Sequence, residues 1–154
     1  MNFAKLLTPQ AVKVLSSTTS KKRLLTELGE LAAATYGLNA QTVVEALLAR
    51  EALGPTGVGH GVALPHARLS GIDEVTGLFV LLEKPVDFGS VDRQPVDIAF
   101  ALFAPENAGV EHLKALALVS RTLRDCGVCA KLRANPKPDT LYTILTEAEV
   151  IKAA

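Results

Sequence analysis

VTGLFVLL, residues 75–82, and VDIAFALF, residues 96–103, are nearly continuous apolar runs of strand length. A strand with one wet face alternates apolar and polar residues, whereas a run this apolar must be covered on both sides. Both segments are therefore expected to be central strands. Between them KPVDFGSVDRQP, residues 84–95, is dense in turn formers and reads as a loop or a hairpin excursion. Outward from this pair the period changes from two to about 3.6. Ser20 can cap a helix that carries Leu24, Leu28, Leu31 and Thr35 on one face and ends near Gly37. Asn39 can cap a second helix through Val43, Val44, Leu47 and Leu48, stopped by Gly54 and Pro55. A third is expected over Val110–Leu123, with Leu113, Leu116, Val119 and Leu123 inward, and a fourth from Asp139 through Leu141, Ile144 and Leu145. A short apolar segment lies at Val12–Leu15. Strands and helices mixed in this order imply an α/β fold, a mixed β-sheet flanked by helices on both faces, as a single domain over residues 1–154.

Composition narrows the function classes. The 154 residues are about half hydrophobic, enough for a sizeable core. Sixteen basic and sixteen acidic side chains cancel, so the overall charge points to neither nucleic acid nor a membrane surface as the main partner. No apolar stretch approaches a membrane span and the N-terminal segment lacks the apolar core of a signal peptide, so a cytoplasmic location is expected. Two cysteines are too few for a disulfide scaffold.

The chemistry concentrates in TGVGHGVALPHAR, residues 56–68. Gly57, Gly59 and Gly61 permit backbone dihedrals closed to other residues and could bring amides close to an anion, with Thr56 beside them. Pro65 lacks an N–H and disfavours helix at Leu64, so Val62–Leu64 reads as extended and His66 falls at a strand end. A dinucleotide site or P-loop would need a helix directly after the glycines, and a P-loop also a Gly-Lys-Ser/Thr. Neither is present, so nucleotide binding is the weaker reading, and His66 is either a nucleophile at a phosphate site or a hydrogen-bonded structural histidine. A neutral imidazole nitrogen can attack phosphorus near pH 7, provided the other nitrogen is fixed by a hydrogen bond.

Other residues have two readings each. Arg50, in the last turn of the second helix, offers a fork for phosphate oxygens or simply complements the helix dipole. His112, in the first turn of the third helix, is either a second phosphate ligand or a surface histidine. Arg68 shares the His66 face of a strand and could contact a partner or solvent. His60 reads as a pocket-rim residue, since its spacing to His66 and His112 matches no zinc ligand pattern. Cys126-Gly-Val-Cys129 has the spacing of redox and metal sites, but both cysteines follow a long helical pattern rather than open a helix and a zinc ribbon would need a second pair, so two buried or semi-buried thiols are expected.

Three blocks in order, AREALGPTGVGHGVALPHARL from residue 49, DRQPVDIAFALFAP from residue 92 and EHLKALALVSRTL from residue 111, resemble the type-2 enzyme IIA domains of the bacterial phosphotransferase system. SKKRLLTELGELAA, from residue 20, is similar to openings in the nitrogen-regulatory branch. The resemblance implies a mixed sheet with flanking helices and a phosphohistidine relay. In it His66 accepts a phosphoryl group, on Nε2, from an HPr-like phosphocarrier protein, and His112 and Arg50 complete the pocket without metal or cofactor. Pro55 and His60 depart from the branch pattern, which bears on the rim and on partner choice. Two alternatives share or drop the chemistry: a fructose- or mannitol-type component passing phosphate to a permease B domain, and an interaction module never phosphorylated.

Overall fold

The structure, a computed structural model, describes residues 1–153, with side chains through residue 148. The chain opens with α1 (Phe3–Leu6), a 3₁₀ turn (Pro9–Ala11) and β1 (Val12–Leu15). Helices α2 (Lys21–Tyr36) and α3 (Ala40–Glu51) follow. Their caps are those anticipated: the Ser20 side chain accepts from the Arg23 amide, Asn39 accepts from the Thr42 amide, and Gly37 closes α2 in the left-handed conformation at φ 69°. Next come β2 (Gly57–Gly59), β3 (Val62–Ala63), β4 (His66–Leu69), β5 (Thr76–Val86) and β6 (Val96–Pro105). The chain finishes with α4 (Val110–Leu123), α5 (Cys126–Ala134) and α6 (Pro138–Ala153).

The sheet is mixed and open. Its order is β1-β5-β6-β3-β2, with β4 also paired to β6. The two apolar runs form its centre: β5 and β6 are antiparallel, with Phe79 opposite Phe100. Leu78 through Leu82 and Ile98 through Ala104 are buried without a break. Successive residues of a strand point to opposite faces, so both faces are covered. Beyond Leu82 the strand β5 continues to Val86, opposite Val96, and the anticipated excursion is the tip of a hairpin.

Strands β3 and β4 run along β6 in one register, Val62 opposite Ile98 and His66 opposite Leu102, interrupted only at Leu64–Pro65. Proline cannot donate to a ladder, so the pairing breaks where it sits, while its carbonyl still accepts from the Leu102 amide at 2.9 Å. That break positions the site.

Two expectations need correction. Leu113 is 64% exposed, and the inward face of α4 is His112, Ala115, Leu118, Val119, Thr122 and Leu123. Both stripes share Val119 and Leu123, and the helix has turned so that small Ala115 and His112 approach the sheet. The helical pattern also does not run on through the cysteines. It ends at Arg124, and Asp125, whose side chain accepts from the Gly127 and Val128 amides, caps a separate α5 that begins at Cys126. Cys126 is exposed and Cys129 buried, so only one thiol meets the expectation.

Candidate functional site

His66 stands at the N-terminal end of β4, and the interruption before it frees a backbone acceptor. The Leu64 carbonyl lies 2.9 Å from His66 Nδ1. A carbonyl can only accept, so Nδ1 carries the proton and Nε2 presents a lone pair. Arg50, in the last turn of α3, donates through Nε to that Nε2 at 3.3 Å. Its Nη1 donates to the Gly54 carbonyl at 2.9 Å, which holds the guanidinium plane. The ring is half-buried and therefore reachable.

His112 comes to the same place from another element. Its ring centroid is 5.7 Å from that of His66. It is the third residue of α4 and only 5% exposed, which overturns the reading of it as a surface histidine. Its Nδ1 is buried with no hydrogen-bond partner. A buried polar atom without a partner is costly, and such groups concentrate where a ligand completes the bonding. Burial is the first cause that lowers the His112 pKa below the ordinary histidine value, and the neighbouring His66 and the Arg68 guanidinium act in the same direction, which favours the neutral ring. Arg68 faces the same side as His66, is exposed, and donates through Nη1 to the Glu106 carbonyl at 3.2 Å.

The glycine turn does something other than expected. Gly59 pairs with Val62, and the two residues between them, His60 and Gly61, have φ of 56° and 79°. Two successive positive φ values are what a type I′ hairpin turn requires. The His60 amide is taken by Asp92 Oδ2 at 2.8 Å, and the Gly61 carbonyl accepts from the Asp97 and Ile98 amides. This turn lies four residues along β6 from the partner of His66, about 13 Å away at the usual strand rise. Gly59, Gly61 and His60 are thus not brought to His66, which corrects both the phosphate-cradling and the pocket-rim expectations for them.

Thr56 and Gly57 lie nearer, since the Thr56 carbonyl accepts from the Leu64 amide. Yet the Thr56 amide and hydroxyl are both given to the Glu51 carboxylate, and Gly57 packs against Ser90. Glu51 also pairs with Lys21 at 2.7 Å, and the Lys21 ammonium sits 4.5 Å over the Phe88 ring. Sequence reasoning missed Glu51 and Lys21, whose carboxylate–ammonium pair joins three separate segments next to Arg50. A partly buried pair between positions 30 residues apart has no local signature. Among the described residues no group of three or more His, Cys, Asp or Glu is placed to hold a metal ion, and no helix is long and apolar enough to cross a membrane.

Residues 5–148 match the family described as phosphoenolpyruvate-dependent sugar phosphotransferase system, EIIA 2. A nitrogen regulatory protein of Bradyrhizobium diazoefficiens is 46% identical over 145 residues, covering 94% of this chain and 95% of that protein. The crystal structure of nitrogen regulatory protein IIA-Ntr from Neisseria meningitidis superposes with a TM-score of 0.86 at 36% identity, covering 94% of this chain and 99% of that one. IIA mannitol from Escherichia coli shares the fold, with a TM-score of 0.75 at 21% identity over 90% of this chain and 98% of that one.

Proposed function

The chain belongs to the phosphoenolpyruvate-dependent sugar phosphotransferase system EIIA 2 family, and from that premise we propose that His66 Nε2 accepts a phosphoryl group from an HPr-like phosphocarrier protein, the phosphorylation state then regulating partner proteins. The single observation that carries this reading is the paired fixation of one ring: Nδ1 on the Leu64 carbonyl and Nε2 facing the Arg50 guanidinium. In the step itself the Nε2 lone pair attacks phosphorus, the P–N bond to the donor imidazole breaks, and that imidazole leaves with the electron pair. The proton stays on Nδ1, which goes on donating it to the Leu64 carbonyl. As the donor phosphoryl group approaches, Arg50 Nε leaves the lone pair it occupies in the free protein and donates instead to an equatorial phosphoryl oxygen, and the unpartnered His112 Nδ1 offers a second contact.

A protein donor fits the surroundings. Leu53, just past the Arg50 turn, and Val110 and Leu113, flanking His112, are large apolar residues left 84%, 64% and 64% exposed. Exposed apolar groups beside a polar centre suit a surface that is covered transiently. Arrival of a phosphoryl group adds nearly two negative charges and three acceptor oxygens at the middle of that surface, enough to reverse a contact. Nitrogen regulation, which the names of the relatives carry, is the output we propose, in the cytoplasm where such a carrier works. Incubation with a phosphorylated HPr-type donor is expected to place an acid-labile phosphate on His66, mapped by mass spectrometry. Undiminished labelling of His66→Ala would refute the assignment.

A further inference from the structure

The phosphoryl chemistry leaves Cys126-Gly-Val-Cys129 unused. A redox pair of this spacing needs its first cysteine at a helix start, exposed, and its second one turn on. The helix break at Asp125 supplies that arrangement: Cys126 is the first residue of α5 and exposed, while Cys129 is 4% exposed, its thiol donating to the Leu123 carbonyl at 3.1 Å. Both cysteines line one open cleft of about 620 Å³, with Leu123, Asp97, Arg133 and His60 also on its wall. They lie close enough that charge on Cys126 adds to the burial that raises the Cys129 thiol pKa, burial being the larger cause. In a regular helix such side chains are about 5–6 Å apart at Cβ, and a disulfide needs about 3.5–4.5 Å. Closing that gap calls for a tighter first turn of α5, whose Gly127 and Val128 amides are held by the Asp125 side chain and not by carbonyls of the helix.

We propose that Cys126 and Cys129 are a reversible dithiol–disulfide couple, with Cys126 the attacking sulfur toward small-molecule disulfides of the glutathione class and Cys129 the resolving one. The Cys126 thiolate attacks one sulfur of the small disulfide, forming a mixed disulfide and releasing one thiolate. Cys129 then gives its proton to solvent and displaces the second, so two protein thiols are oxidised as one disulfide is reduced to two thiols. Transient pairs of this kind are the form disulfides take in a reducing compartment. Arg133, one turn beyond Cys129, is clamped on Asp97 and on the His60 carbonyl, so tightening of α5 is felt at the tip of the β2–β3 hairpin.

The test exposes the full chain to glutathione buffers from reducing to oxidising, read by intact mass and by gels without reductant. Wild type is expected to gain one intramolecular disulfide, reversed by excess thiol. Cys129→Ser and Cys129→Ala are expected to stop at a stable glutathione adduct on Cys126, and Cys126→Ser to be modified at least tenfold more slowly. Circular dichroism of each variant separates misfolding from altered reactivity. Wild type that stays reduced, collects stable adducts or cross-links between chains would overturn the proposal, and so would Cys126→Ser reacting as fast as the Cys129 variants.

Discussion

Arg50 and His112 are each ambiguous in the sequence and each defined by what it meets in the fold. Arg50 bridges the His66 lone pair and the Gly54 carbonyl, so its loss removes a preorganised charge and frees the ring. Arg50→Ala is expected to slow phosphoryl transfer by more than about tenfold, with the melting temperature little changed. Arg50→Lys is expected to recover only part, since an ammonium cannot hold both contacts in one plane. An unchanged transfer rate in Arg50→Ala removes that residue from the site. His112 has a folded-state pKa pushed below 6.5, chiefly by burial. As pH falls through the unfolded value the unfolded chain takes up a proton that the folded one refuses, so stability declines on the acid side and is level above it. Urea midpoints for wild type are expected to fall between pH about 7.5 and about 5.5, and His112→Gln is expected to flatten that slope. Equal slopes would show that His112 does not titrate as its burial requires.

At the scale of elements, local devices outrank propensity. Pro65 splits an otherwise continuous strand alongside β6, and the gap is what leaves the Leu64 carbonyl free for His66. The glycine motif is a hairpin turn, and one of its members is small for packing: a Cβ on Gly57 would lie 2.1 Å from Ser90 Oγ and 2.9 Å from Ser90 Cβ. Gly57→Ala is therefore expected to destabilise the protein by about 1–3 kcal/mol, by forcing the hairpin tip of β5–β6 off β2. Adding Ser90→Gly should restore part of the loss, measured by chemical denaturation. A double variant no more stable than Gly57→Ala would place the strain elsewhere.

For the whole molecule, one buried cluster links Phe3 and Leu6 of α1, the strands of the sheet, and Leu141 and Leu145 of α6. Phe100 at its centre meets Phe3 at 5.7 Å and Phe79 at 6.3 Å between ring centroids. Such continuity predicts one cooperative unfolding transition, with circular dichroism and calorimetry giving the same midpoint. Two resolved transitions would divide the chain. The sequence by itself determined the central strands, the caps of α2 and α3, and the place of His66 at a strand end, because apolar period, capping side chains and proline act within a few residues. Only the tertiary structure decided that His112 turns inward in place of Leu113, that the glycine turn stands apart from His66, that Glu51 and Lys21 brace the site, and that a helix begins at Cys126. Those outcomes depend on how a helix rotates against a sheet and on which distant groups meet, and such contacts between remote positions leave no period or spacing in the chain.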